Sequence, residues 1–138
     1  MKVLIDANVI LTYLSGRDDP YTREADLIMQ KCANEEIDGS VALHTLSIVW
    51  YQTRKLPESL RREWIRQICT LLTVSGTNND AVLRAVENSD FRDFEDALQD
   101  CCASSYDADY IVTANVRDYK GVSTIPALTP AAFLDLCV

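Results

Sequence analysis

The chain has 138 residues, of which 48% are apolar and 25% charged, with a net charge of -8. This is the composition of one globular domain, 1–138, long enough to bury a core without disulfides or a structural metal. It excludes a membrane span, since no apolar run approaches the roughly 20 residues required. It also excludes a whole-surface grip on nucleic acid, which relies on cationic charge.

"KVLI" is a short run of β-formers and reads as a buried parallel strand ending at Asp6. Asp6 and Asn8 interrupt the apolar start of the chain and no small-residue cleavage site follows, so a signal peptide is not expected. "NVILTYLSG" predicts a short helix stopped by Gly16, and Pro20 opens a second helix with Ala25, Ile28, Met29 and Cys32 at helical spacing. Gly39 reads as a turn before a second strand at "VAL". "TLSIVWYQTRKL" follows as a helix capped by Thr45 and ending before Pro57. "ESLRREWIRQICTLL" predicts another helix with Leu60, Trp64, Ile65, Ile68 and Leu72 as its apolar stripe, and "LLTV" a third strand.

"NNDAVLRAVENS" predicts a capped helix whose inner face is Ala81, Val82, Ala85 and Val86. "FEDALQDCCASSY" sets Phe94, Ala97, Leu98, Cys101 and Cys102 on one helical face. "DYIVTAN" is a further buried strand, and "IPALTPAAFLDLC" a last strand and a helix begun by Pro130. Strands alternate with helices. The fold class is therefore α/β: a three-layer α/β/α sandwich around a mainly parallel central sheet.

Ligands of such sheets lie beyond the carboxyl ends of the strands, and two strands here end in polar residues, "LIDAN" and "IVTAN". A carboxylate placed there costs desolvation unless paired, so Asp6 is either a metal ligand or a helix cap. Asn8 would orient it or serve as a turn residue. Asp93 and Asp96 open their helix beside the same rim, whereas Asp100 lies a turn deeper and is expected to face solvent. The plain alternative for these acids is a solvated helix face at the positive end of the dipole. Asn115 offers a carbonyl oxygen to Mg2+ or forms an Asx-turn, with Asp118 three residues on. Thr113 would hydrogen-bond a carboxylate or simply suit a strand.

Taken together, "LIDANVIL", "DFEDAL", "IVTANVRDY" and "ALTPAAFL" resemble a PIN domain over essentially the whole chain, in the branch with DFEDAL and TAN/TRN motifs. The resemblance implies a VapC-like metal-dependent nuclease that cleaves RNA with Mg2+ or Mn2+, often the toxin of a toxin-antitoxin pair. By motif position it implies Asp6 as the first metal carboxylate and Asp96 as the third, with Asn115 at the fourth position and Asp118 nearby. Asp93 and Glu95 are the acids that would supplement them. It implies an RNA substrate, an antitoxin protein and a homodimer as partners. Two departures stand out. The family's second acid is absent between Ser40 and Pro57, where Ile48 or a neighbour occupies its position, and Asn115 stands where Asp is usual. A catalytically degenerate PIN domain that binds nucleic acid or protein is therefore the alternative reading.

The segment "RKLPESLRREWIR" concentrates Arg54, Lys55, Arg61, Arg62 and Arg66 beside Trp50, Tyr51 and Trp64. Arg54, Lys55 and Arg62 are the candidates for following a phosphate backbone, with aromatics to stack bases. The alternative is a solvated helix face with Glu58–Arg62 pairing and Trp64 in the core. His44, the lone histidine, reads as structural. Five cysteines without a C-x-x-C pair are neither a zinc site nor a disulfide framework, and point to a reduced, cytoplasmic protein. A receiver or dehalogenase-type phosphoryl-transfer domain fits poorly, since "DAN" lacks the second acid either would carry. The four scattered glycines rule out nucleotide cradles.

Overall fold

The computed structural model describes all 138 residues. The chain runs β1 (Lys2–Ile5), α1 (Ala7–Ser15), α2 (Thr22–Ala33), β2 (Asp38–Ala42), α3 (Leu43–Gln52) and α4 (Glu58–Leu71). It continues through β3 (Thr73–Ser75), α5 (Asn79–Glu87), α6 (Phe94–Ser105), β4 (Tyr110–Val112), a short 3-10 turn (Val116–Asp118), β5 (Ala127–Leu128) and α7 (Pro130–Leu136).

The strands lie in the order β3-β2-β1-β4-β5, and every neighbouring pair is parallel. Parallel neighbours need crossover connections, which the helices supply. The chain builds outward from β1 to β3 and then crosses to the other side of β1 to lay down β4. The winding reverses between β1 and β4, and a crevice opens there at the strands' carboxyl ends. Asp6 leaves β1 into that crevice and Thr113 leaves β4 into it.

The central strands β1, β2 and β4 are largely buried on both faces, whereas the edge strands β3 and β5 are partly exposed. Val3, Ile5, Val41 and Val112 face one layer with α1, α2, α4 and α7, whose buried residues include Val9, Ile28, Ile68 and Phe133. Leu4 and Ile111 face the other, against Ala85, Ala97, Cys102 and Tyr119. The architecture is the three-layer α/β/α sandwich, with a wholly parallel sheet.

Several local expectations are corrected. Gly39 is not a turn residue: it lies within β2, where a Cβ would stand 2.6 Å from Leu72 Cδ2 and 2.7 Å from Cys32 Sγ. Its smallness lets two helices close on the sheet. Thr45 does not cap α3, which starts at Leu43, leaving Thr45 buried inside the helix. Helix α2 starts at Thr22 rather than at Pro20. Only Ala85 of the expected α5 inner face is buried, and Val86 is exposed, because α5 packs chiefly on α6. Phe94 is likewise exposed, while Ala97 and Cys102 carry the α6 contact. No helix is long and apolar enough to cross a membrane.

Candidate metal and nucleic-acid site

Asp6 caps α1 and is also the centre of a buried polar network. Its Oδ1 accepts from the Ala7 amide at 2.7 Å and from Gln99 Nε2 at 2.9 Å. Its Oδ2 accepts from Thr113 Oγ1 at 2.7 Å and, more loosely, from Asn8 Nδ2 at 3.4 Å. Those donors come from α1, α6 and the end of β4, so one carboxylate ties the helix it opens to two remote segments. The partners are themselves held. The Thr45 hydroxyl donates to Gln99 Oε1 at 3.3 Å, the Ala114 amide to Asn8 Oδ1 at 3.2 Å and the Asn115 amide to Thr113 Oγ1 at 3.0 Å. Gln99 and Thr113 are buried, as donors to a carboxylate withdrawn from water must be. Burial still pushes the Asp6 carboxyl above the ordinary range, against the lowering effect of Thr113 and the Ala7 amide.

Asp96 stands one helical turn before Gln99 on α6 and is half-buried. Its carboxyl is pushed up to about 7, first by burial and then by the charges of Asp118, Asp93 and Asp6. Tyr119 donates its hydroxyl to Asp96 Oδ1 at 3.3 Å, and burial followed by the charges of Asp6 and Asp96 drives that phenol well above its usual range. Mutual repulsion among these acids is what a cation would relieve.

The other expected residues fall into place unequally. Asp93 is exposed and its Oδ1 caps α6 by accepting from the Glu95 amide at 2.9 Å. Glu95 is exposed, with its carboxyl raised by partial burial and then by Asp93 and Asp6. Asn115 and Asp118 are exposed on the lip beyond β4, where they line a cleft with Arg92 and Arg117. Asp100 does not face solvent freely: it is half-buried and accepts from the Ser123 hydroxyl.

Gln99, Thr45, Arg92 and Arg117 were not singled out by the sequence as site residues. The one available signal for Gln99 was a polar side chain one turn after Asp96 next to the apolar stripe. His44, set aside as structural, stands at the start of α3 within the field of Asp6.

The donor chemistry suits a hard cation, since Asp6, Asp96, Asp118 and Asn115 all present oxygen. The long Asn8 contact leaves Asp6 Oδ2 one lone pair that an ion could take. No three histidine, cysteine or carboxylate side chains close into a cage. The residues therefore fit an ion gripped by one or two carboxylates and completed by water and substrate, which is how Mg2+ is usually held.

At the far end of α3 the basic segment forms a corner with α4. The Arg61 guanidinium lies 3.7 Å from the centre of the Trp50 ring, and Arg54 lies 4.3 Å from that of the exposed Tyr51. Arg62 is tied to Glu58 by two bonds of 3.0 and 2.8 Å and Arg66 to Glu63 at 2.7 Å, the expected surface pairing. Trp64 is only half-buried and lines a groove with Leu11, Arg54, Lys55 and Leu56, so it is not a core residue.

No curated protein matches the sequence. Among solved structures the chain is similar to a toxin-antitoxin complex from Klebsiella pneumoniae, at 21% identity and a TM-score of 0.67 over 93% of this chain and 97% of that one. It is similar to VapBC-1 from nontypeable Haemophilus influenzae, at 15% identity and a TM-score of 0.69 over 95% and 99% of the two chains. It also resembles VapBC2 from Rickettsia felis bound to a promoter DNA fragment, at 12% identity and a TM-score of 0.67 over 94% and 98%. At these identities the likeness is one of fold. The PIN domain family model matches residues 2–117, and on that match the chain belongs to the PIN domain family.

Proposed function

We propose that the chain is a metal-dependent ribonuclease of PIN type that hydrolyses RNA phosphodiester bonds with Mg2+ or Mn2+ held by Asp6 and Asp96. The observation that carries this reading is the convergence at the strands' carboxyl ends of Asp6, bonded to Gln99 of α6 and to Thr113 beyond β4, with the half-buried Asp96 one turn before Gln99. Burial first and like charges second raise the Asp96 carboxyl to about 7, a perturbation commoner at working sites than on a solvated helix face. A divalent ion bound there would offset phosphate charge and acidify water.

The chain's own residues do the remainder. Gln99, Thr113 and the Ala7 amide hold Asp6 in one orientation, so that only Oδ2 is offered to the cleft. Tyr119 donates its hydroxyl to Asp96. Asn115 and Asp118 line the outer lip, where Asn115 adds an oxygen donor without charge and Arg92 and Arg117 would meet substrate phosphates. Glu95 and Asp93 contribute negative field rather than direct ligation. Arg54 and Lys55, free of carboxylate partners, would follow the RNA backbone beside Tyr51, with Arg62 supplementing them.

The VapBC complexes named above support an antitoxin as a protein partner, with this chain as the proposed toxin of such a pair; a homodimer is a further proposed assembly. All five cysteines are unpaired, in keeping with a cytoplasmic setting. The competing reading is a degenerate PIN domain that binds RNA or protein without cutting. It is favoured by the missing acid on α3 and by the hydrogen-bond load already on Asp6.

Incubation of purified protein with single-stranded RNA separates the two. The nuclease reading expects cleavage with Mg2+ or Mn2+, abolished by chelator and by Asp96→Asn. RNA retention without cleavage under any divalent ion would establish the binding module instead.

A further inference from the structure

Beyond β4 the surface opens into a cleft of about 430 Å3 lined by Arg92, Ala114, Asn115, Val116, Arg117 and Asp118. That volume falls in the range of small-molecule sites. The cleft adjoins the Asp6 network. The Ala114 amide donates to Asn8 Oδ1 at 3.2 Å and the Asn115 amide to Thr113 Oγ1 at 3.0 Å, and both of those side chains donate in turn to Asp6 Oδ2. Asp118 is near enough for its charge to bear on Asp6 and Asp96 alike.

The two arginines set this cleft apart. Arg17, Lys31, Arg62 and Arg66 are each tied to a carboxylate, whereas Arg92 and Arg117 are exposed and pair with none. They come from different parts of the chain, Arg92 just before α6 and Arg117 from the 3-10 turn after β4. In a chain of net charge -8, two unpaired guanidiniums on one cleft beside a group of acids reverse the sign locally. Residue 115 sets the balance. With the uncharged Asn115, two cations face only Asp118 and the lining is positive; the acid usual there in the family would cancel it. A guanidinium fork matches phosphate oxygens two at a time and keeps its charge at any ordinary pH.

We propose that this cleft seats a second phosphate of the substrate, next along the strand from the scissile one, held by Arg92 and Arg117 without a metal ion. The proposal rests on reading the rim as a phosphodiester-cleaving site. Asn115 then serves substrate binding by leaving the seat positive. The smallest substrate gripped in full carries two phosphates, one beside Asp6 and Asp96 and one on the arginines. The second is either an internal diester or a terminal monoester, since both present the oxygens that the forks take.

The experiment titrates the full chain, in the presence of chelator, with three probes. These are uridylyl-uridine, which has one phosphate, the same dinucleotide with a terminal phosphate added, and the uridine trinucleotide with two internal phosphates. The wild type should bind at least one of the two-phosphate probes about tenfold more tightly than the first, as charge-assisted contacts to an added phosphate allow. The probe that gains identifies the source as terminal or internal. Arg92→Gln and Arg117→Gln should each lose most of that gain, and Asn115→Asp should reduce it. All three positions are exposed and outside the core, so the variants keep the fold. Three probes bound equally or not at all, or a gain that survives both arginine substitutions, would overturn the seat. A gain undiminished in Asn115→Asp would overturn the role given to residue 115. RNA left uncut under Mg2+ and Mn2+, with the gain intact in chelator, would overturn the nuclease reading and leave the seat standing.

Discussion

Gln99 Nε2 donates to Asp6 Oδ1 across 2.9 Å, joining the helix that carries Asp96 to the strand end that carries Asp6. Residues 93 positions apart are thereby held in one register, and the two acids are set against each other by a single amide. Gln99→Leu keeps the volume but removes the donor from Asp6 and the acceptor from Thr45. The expected loss is about 1.5–3 kcal/mol, the worth of a hydrogen bond to a charged group. Gln99→Glu should be milder at low pH, where its protonated carboxyl still donates, and worse at high pH, where two carboxylates face each other. Urea midpoints at two pH values read both. A Gln99→Leu protein as stable as wild type would remove the amide's structural role.

The rim acids make stability pH-dependent in a defined direction. Asp96 is raised in the folded state from its ordinary 3.8 to about 7. The native protein therefore holds this proton more tightly than the unfolded chain does. Its contribution is fully present at low pH and is lost as pH rises from about 4 to about 7. Asp6 shifts in the same direction. Asp96 is only half-buried, so solvent screens part of the effect. Thermal midpoints should fall between about pH 4 and pH 7, less steeply in Asp96→Asn and less steeply with Mn2+ present. An identical slope in the variant would show that Asp96 is not under this strain.

Gly39→Ala tests the close packing beneath the sheet. The new methyl would stand 2.6 Å from Leu72 Cδ2 and 2.7 Å from Cys32 Sγ, the ends of two buried side chains that would have to shift. Overpacking of this kind costs about 1–3 kcal/mol. Chemical denaturation measures it, and an unchanged midpoint would mean that α2 and α4 can retreat freely.

RNA affinity should depend on the α3–α4 corner through salt. Replacing Arg54 and Lys55 with alanine should flatten the dependence of log affinity on log salt by about 0.7 for each single-strand phosphate that is no longer neutralised. Arg62→Ala should matter less, since Glu58 already occupies that guanidinium. Equal slopes in wild type and the double variant would move the RNA path elsewhere, with Arg92 and Arg117 as the next residues to test.

The residues differ in how far the sequence alone could reveal them. Asp6 stands out in the sequence because a carboxylate after a run of buried β-formers must cap a helix or find partners, and in the structure it does both. Thr113 followed by the same reasoning. Gln99 was not legible, because what matters about it arises across the fold: a bond to Asp6. Asp93 and Asp96 look alike in the string "DFRDFEDAL", yet one caps its helix in water while the other is half-buried in the field of three like charges. Gly39 looked like a turn because the side chains that dictate its smallness come from Cys32 and Leu72, remote in the chain. The fold class was plain from alternation. The assignment of each polar side chain to a cap, a network or a cleft needed the third dimension.

Whether Asp96 grips a divalent ion is decided by calorimetric titration of Mn2+ into the wild type and into Asp96→Asn. The wild type should bind the ion, and the variant, folded and no less stable at neutral pH, should not bind it measurably. Equal binding by both proteins, or none by the wild type, would contradict a metal site built on Asp6 and Asp96.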